Sequence, residues 1–360
     1  MKQIYFIVTL LITCTAFAQI PAGYYDSATG SGFTLKTQLK NIIDDVNDNN
    51  GQQFHDPLSY GDLWDVYESS DVRPDGKVWE MYSECDFTFV VDQDNGMGGG
   101  TECDKFNREH SFPRSWFGDN SGIPIFADAF HVIPSDKKVN GIRGNLAYGE
   151  VANANYTTLN GTKKGTSSIS GPTGEVFEPA DEFKGDIARG FFYLATRYEN
   201  LISNWEANDT DGDSMLDGTS NRVFEQWALD MLYDWHLNDP VSQKEIDRND
   251  AIFNAQSNRN PFIDNPQFVL EIWQNALSVD EFETVDTIKM YPNPANGNQV
   301  TILSNKDIAA EVYDVLGKKV TVQNISANQN TLQISGLSKG VYIVRLTSIE
   351  GSITKKLIRQ

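Results

Sequence analysis

The sequence predicts an α+β protein in two parts, a mainly helical domain followed by a small all-β sandwich. Three observations lead there. At 360 residues the chain is too long for one small domain. Before Leu277 apolar residues recur with helical periodicity, and beyond an acidic connector they alternate in short runs divided by turn residues. The 39% of residues that are apolar suffice for a buried core.

The first residues read as an address. Lys2 gives a positive start, Ile4 to Ala16 form a short apolar run, and Ala16-Phe17-Ala18 is a small-x-small cleavage signal, so residues 1–18 predict a secretory signal peptide. Such a run is too short to anchor the chain across roughly 30 Å of hydrocarbon. Leu11-Ile12-Thr13-Cys14 faintly resembles a lipoprotein signal but lacks the small residue usual before the cysteine. No later segment is apolar enough to cross a bilayer. With the leader removed, Cys85 and Cys103 remain, and export favours a disulfide between them, closing a loop that holds Gly96, Gly98, Gly99 and Gly100. The alternative is two unpaired buried thiols.

Residues 19–277 form the main domain, with helical periodicity in Leu35 to Val46, Ile187 to Leu201 and Arg222 to Leu237. In the second of these Phe191, Leu194, Ala195 and Tyr198 share a face that reads as core. The connector, residues 278–286, carries Asp280, Glu281, Glu283 and Asp286. Residues 287–360 then offer strands at Val300 to Leu303, Glu311 to Tyr313, Thr331 to Ile334, Val341 to Leu346 and Ile353 to Ile358. Asn296-Gly297, Leu316-Gly317 and Lys339-Gly340 suit the turns.

Four motifs follow one another in this last part: Tyr291-Pro292-Asn293-Pro294, Val312-Tyr313-Asp314 with Gly317-Lys318, Gly340-Val341-Tyr342-Ile343-Val344-Arg345, and Lys355-Lys356-Leu357-Ile358. Together they resemble the C-terminal sorting domain of type IX secretion cargo. The resemblance implies passage through the periplasm, engagement of the type IX secretion machinery, and release or attachment at the cell surface. A carbohydrate-binding or adhesive sandwich is the plainer alternative.

A net charge of −21 argues against a protein that coats nucleic acid. Between Asp104 and Glu150, however, Lys105, Arg108, Arg114, Lys137, Lys138 and Arg143 balance six acidic residues. The histidines are only His55, His110, His131 and His236, and no pair has the spacing of a His-Glu-x-x-His zinc site. The one Gly-x-Ser-x-Gly run, Gly336-Leu337-Ser338-Lys339-Gly340, falls among the short strands of the last part and not at a strand-to-helix elbow. Polar groups concentrate instead in Asn107-Arg108-Glu109-His110-Ser111-Phe112-Pro113, in Asp128 to Pro134, and in Asn140-Gly141-Ile142-Arg143-Gly144-Asn145.

Those residue types suit phosphodiester cleavage, which needs a base for water, a hard cation and a group that holds the phosphate. A neutral histidine serves as base near pH 7, and Glu and Asn oxygens suit Mg²⁺, which uses few protein ligands. Arg143, three residues after Asn140, shares its face on a helix. Gly141 and Gly144 weaken that helix, which points to close approach of backbone or substrate.

The same motifs, with Trp116-Phe117-Gly118, Phe177-Glu178-Pro179-Ala180-Asp181, Trp235-His236 and Asn258-Arg259-Asn260-Pro261-Phe262-Ile263-Asp264, resemble the endonuclease I family over residues 24–275. That resemblance implies a ββα-metal core and a secreted or periplasmic endonuclease that cuts DNA, with RNA left open. His110 would be the base, and Glu109 and Asn140 would hold Mg²⁺ or another divalent cation. Arg143 would be a catalytic, phosphate or structural contact, with Arg108 and Asn145 as further substrate contacts. Phe112 stands where the family often has tryptophan or valine, a matter of packing. The cluster is expected to lie open to substrate, so that its substitution leaves stability little changed.

One geometric difficulty arises on the way. Neighbours on a strand point to opposite faces, so the strand must end, twist or bulge for Glu109 and His110 to serve one substrate. His131 reads as structural, bonded to Asp128 or a backbone carbonyl, and His236 as an ordinary packed side chain. Asp181, Asp186 and Arg189 read as a buried or supporting ion-pair network. Asp209, Asp211, Asp213 and Asp217 resemble a structural Ca²⁺ loop, although Ser214 and Ser220 replace the glycine and glutamate of an EF-hand. The rival function is a calcium-dependent binding protein of the cell surface with an inactive nuclease-like domain. A polysaccharide or ester hydrolase would need a carboxylate pair or a serine elbow.

Overall fold

A computed structural model of the chain describes residues 20–44, 56–172, 174–277, 289–303, 307–314, 318–326, 330–348 and 351–360. The predicted leader and connector, His55 and the Leu316-Gly317 turn lie outside them. The chain divides into two compact units, Met1–Leu277 and Ser278–Gln360.

In the first unit α1 (Gly32–Ile43) buries Leu35, Leu39, Ile42 and Ile43, spaced to share one side of the helix. α2 (Leu63–Ser70) follows. Strands β1 (Phe106–His110) and β2 (Val132–Asp136) then pair antiparallel with Glu109 opposite Ile133 and His110 opposite Val132. Helix α3 (Lys137–Arg143) starts where β2 stops, because the Asp136 carboxylate accepts the backbone N–H groups of Lys138 and Val139 and caps the new helix.

Three further strands, β3 (Val151–Thr157), β4 (Lys163–Ser167) and β5 (Glu175–Glu178), form an antiparallel sheet that the sequence reading did not foresee. The reason is solvent. Ala152 to Asn155 are all exposed, so the strand shows no apolar alternation. Gly165 is required here, since a Cβ at this position would lie 2.1 Å from the Asn153 carbonyl oxygen, beside an irregularity in the register.

Helix α4 (Lys184–Arg197) is the centre of the unit, and from Ile187 to Arg197 every residue is buried. A helix enclosed on all sides has no single core face, so the predicted face was too narrow. Tyr198 separates it from α5 (Glu199–Ile202), where one continuous segment had been predicted. The unit is completed by α6 (Thr210–Met215), α7 (Gln226–Asn238), α8 (Gln243–Gln256), α9 (Pro261–Asp264) and α10 (Phe268–Trp273). A reciprocal Ser242–Glu245 capping box starts α8.

The second unit is built of strands: β6 (Lys289–Tyr291), β7 (Gln299–Leu303), β8 (Ile308–Tyr313), β9 (Lys319–Ile325), β10 (Thr331–Gln333), β11 (Gly340–Ser348) and β12 (Gly351–Arg359). They form two antiparallel sheets, ordered β10-β7-β6 and β12-β11-β8-β9. Val300, Ile302, Val312, Leu332, Val344 and Leu357 belong to one apolar cluster of this unit. β6 and β9 were not predicted, and β9 is an edge strand whose Val320 and Val322 face solvent. Among the described residues no helix is long and apolar enough to cross a membrane.

Candidate active site

The site begins with the alternation along β1. Asn107 and Glu109 point to the side covered by α3, whereas Arg108 and His110 point to the side covered by Tyr60 and Phe126. Pairing with β2 runs without irregularity and stops at His110, so the strand ends where the sequence required a break.

On the α3 side Glu109 is 3% exposed and Arg143 1%. Glu109 Oε1 accepts from Arg143 Nη1 at 2.7 Å and from the Tyr82 hydroxyl at 3.1 Å. Burial raises the Glu109 carboxyl above its ordinary range, and Arg143 and Tyr82 oppose that rise. The remaining guanidinium donors reach the carbonyls of His110, Ser111 and Leu146 at 2.9, 2.7 and 3.1 Å. Arg143 therefore supports Glu109 and the end of β1 from inside the fold, and as placed it does not face a phosphate. The expectation of an open polar cluster is corrected in the same way, because these residues sit among packed neighbours.

Asn140, one helical turn before Arg143, donates from Nδ2 to Asn107 Oδ1 at 3.0 Å. Neither its side-chain Oδ1 nor Glu109 Oε2 accepts a hydrogen bond among the described residues. Two uncommitted oxygens, one carboxylate and one amide, fit a hard divalent cation that takes few protein ligands. No backbone of the described residues crowds the glycines of α3. Gly144 ends the helix at φ 59°, and a Cβ at Gly141 or Gly144 would meet nothing within 4 Å. Asn145, beyond the helix end, is exposed and donates to Asp209 at 3.3 Å.

On the opposite side the His110 imidazole is 6% exposed and stacks on Tyr60, with centroids 5.6 Å apart and planes 25° apart. Its Nε2 lies 3.0 Å from the carbonyl oxygen of Phe126, in the short turn Pro124–Ala127. A carbonyl only accepts, so Nε2 carries the proton and Nδ1 holds a free lone pair. Burial pushes the imidazole well below its ordinary value, with His131, Arg114 and Arg108 adding to the effect. At neutral pH the ring is uncharged and able to accept a proton. Arg108 lies over the Tyr60 ring, 3.6 Å from its centroid, and 4.5 Å from that of Trp64.

The remaining candidates take supporting places. His131 binds the Ile125 carbonyl at 2.6 Å and His236 that of Pro266 at 3.1 Å, and burial lowers both to about 4. Asp186 pairs with Lys244 at 2.9 Å and lies 3.8 Å from Arg189. Asp181 is exposed and pairs with Lys184, so it does not belong to the buried network. The calcium loop is also corrected: residues 210–215 are helical, Asp209 caps that helix through the Asp211 N–H, and Asp217 pairs with Arg222 at 2.7 Å. Cys85 and Cys103 form a disulfide with their Cα atoms 5.3 Å apart. The Asp136 carboxylate lies close to both sulfurs. Sulfurs bonded to each other offer no thiolate, so this group is a brace at the start of α3 and not a metal centre.

A family model described as endonuclease I matches residues 31–267. The chain belongs to the endonuclease I family. It is 32% identical to an extracellular ribonuclease of Bacillus amyloliquefaciens over 256 residues, covering 69% of this chain and 78% of the relative. The extracellular ribonuclease of Bacillus subtilis (strain 168) is 32% identical over 258 residues, with the same coverage. Endonuclease-1 of Buchnera aphidicola subsp. Acyrthosiphon pisum is 27% identical over 141 residues, 39% of this chain and 45% of the relative. A second model, a secretion system C-terminal sorting domain, matches residues 289–360. This endonuclease I family member is thus a nuclease, a hydrolase of nucleic acid, carried to the exterior or the cell surface.

The sequence reading of the nuclease missed Tyr60, Tyr82 and the Phe126 carbonyl as neighbours of its site. They come from distant segments, and no local pattern marks them. Asn107 could have been found, because a period of two places it beside Glu109.

Proposed function

We propose that this nuclease hydrolyses phosphodiester bonds of DNA, and of RNA as well, with little base preference, using His110 as general base. The observation that carries the reading is the Phe126 carbonyl on Nε2 of His110, which leaves Nδ1 bare in a neutral ring. Nδ1 takes a proton from the attacking water. Glu109 and Asn140 are the residues that hold a divalent cation, Mg²⁺ being suited to such a set. When bound it neutralises charge on the phosphate and the leaving oxygen. The order β1, β2, α3 supports a ββα-metal core. Since Glu109 and His110 face opposite ways, the substrate lies across the end of β1. Arginine contacts to the backbone carry no sequence information, in keeping with weak base preference. A relative named an extracellular ribonuclease supports RNA as a substrate.

Supercoiled plasmid and single-stranded RNA, each incubated with wild type and with His110→Ala, with and without EDTA, test the proposal. Cleavage of both by the wild type alone, lost in EDTA, is expected. Near-normal cutting by folded His110→Ala would sink the mechanism. The domains are proposed to act separately, residues 19–277 cutting and residues 287–360 addressing. A protein ending at Leu277 should cut normally in vitro and fail to reach the cell exterior, and a folded but inactive truncation would contradict this.

A further inference from the structure

Among the described residues of the first unit, every arginine except Arg108 is paired with a carboxylate. In a chain of charge −21 such an exception is notable, because carboxylates are plentiful. What holds Arg108 is two aromatic rings, Tyr60 and, at 4.5 Å, Trp64, together with the Tyr60 backbone. The guanidinium lies 3.6 Å from the Tyr60 ring centroid, and Nη1 donates to the Tyr60 carbonyl. That same ring stacks on His110. Tyr60 sits in the turn that opens into α2, where the Ser59 N–H donates to the Asp62 carboxylate at 2.8 Å.

We propose that Tyr60 is a positioning residue whose ring sets Arg108 as a phosphate anchor beside His110, so that anchor and base meet one phosphodiester as a unit. The inference rests on the reading of His110 as base and extends it to residues outside the metal site. An arginine stacked by its face keeps N–H groups at its edge, which is the geometry that grips a phosphate. The proposed role belongs to the ring face, and Tyr60→Phe separates it from the hydroxyl's own bond to Arg108.

Binding of a fluorescent duplex oligonucleotide, measured in EDTA over a range of salt, isolates the anchor from cleavage. Losing one phosphate contact lowers the slope of log K against log salt by about 0.9. Arg108→Ala should show that loss, and Tyr60→Ala should show it too, with the double variant losing no more than either. Tyr60→Phe should keep both the slope and the cleavage rate, whereas Tyr60→Leu, equally apolar but without a ring, should behave as the alanine variant. In Mg²⁺, Tyr60→Ala should also lower kcat, while Arg108→Ala acts chiefly on KM. An unchanged salt slope in folded Tyr60→Ala, or equal damage from Tyr60→Phe, would overturn the proposal. These slopes do not depend on which residue is the base, so an active His110→Ala protein would count against the mechanism without touching them.

Discussion

Arg143 meets Glu109 at 2.7 Å in a pair from which solvent is nearly excluded, and the same nitrogen also donates to the His110 carbonyl. One buried guanidinium thus fixes both the carboxylate of the proposed metal site and the backbone of the proposed base. Removing one partner of such a pair leaves a buried charge uncompensated, at a cost of about 3–5 kcal/mol. Arg143→Met should lower unfolding stability by that order in urea titration. A loss no larger than a surface ion pair gives, under about 1 kcal/mol, would contradict the buried role.

Replacing His110 by alanine removes the base and leaves Glu109 and Asn140 in place. Cleavage should fall at least about 10²-fold, while Mg²⁺ and DNA still bind. Because the ring is held neutral well below the ordinary value of 6.5, wild-type kcat/KM should stay high as the pH drops past that point, and fall only at lower pH. A pH–rate profile whose acid limb sits above 6.5 would be at odds with the burial described.

Asn140→Ala is the cleaner of the two substitutions at the proposed metal site. It gives up one hydrogen bond to Asn107, worth about 1 kcal/mol, whereas Glu109→Ala also strands Arg143. Activity of Asn140→Ala should be low at ordinary Mg²⁺ and recover in part at high Mg²⁺. A Mg²⁺ titration that restores nothing would remove Asn140 from the ligand set.

Stability should depend on acid through His236. Its folded value is about 4 against 6.5 for the free side chain, so as pH falls from 6.5 the unfolded chain takes up the proton first. Stability from this group is complete above 6.5 and lost towards 4, a span worth about 3 kcal/mol at 1.36 kcal/mol per pK unit. His131 acts in the same direction. Thermal unfolding of wild type and His236→Gln at several pH values checks it, since groups common to both cancel in the difference. Parallel curves would show that His236 is not held neutral.

Much of this was readable from the chain. Periodicity found α1, α4 and α7, and alternation found most strands of the second unit, because burial on one face writes itself into residue order. The sheet β3–β5 was missed where both sides of a strand meet water. Glu109, His110 and Asn140 could be chosen from the motif, but their surroundings could not. Polar residues give no sign of burial, and the partners that enclose these ones, Tyr82, Phe126 and Tyr60, arrive from other segments. The four aspartates of the supposed calcium loop misled because carboxylate spacing is the same in a loop and in a capped helix.

Arg108, the one arginine of the first unit left without a carboxylate among the described residues, also bears on how the enzyme would leave its substrate. An acidic chain offers a polyanion little attraction away from the charge-balanced stretch around Arg108, so little would keep the protein on the strand between cuts. With Arg108 as the proposed anchor, cutting is expected to be distributive: each hydrolysis would be followed by departure, and a long duplex would shorten through a broad ladder of intermediate lengths before small fragments accumulate.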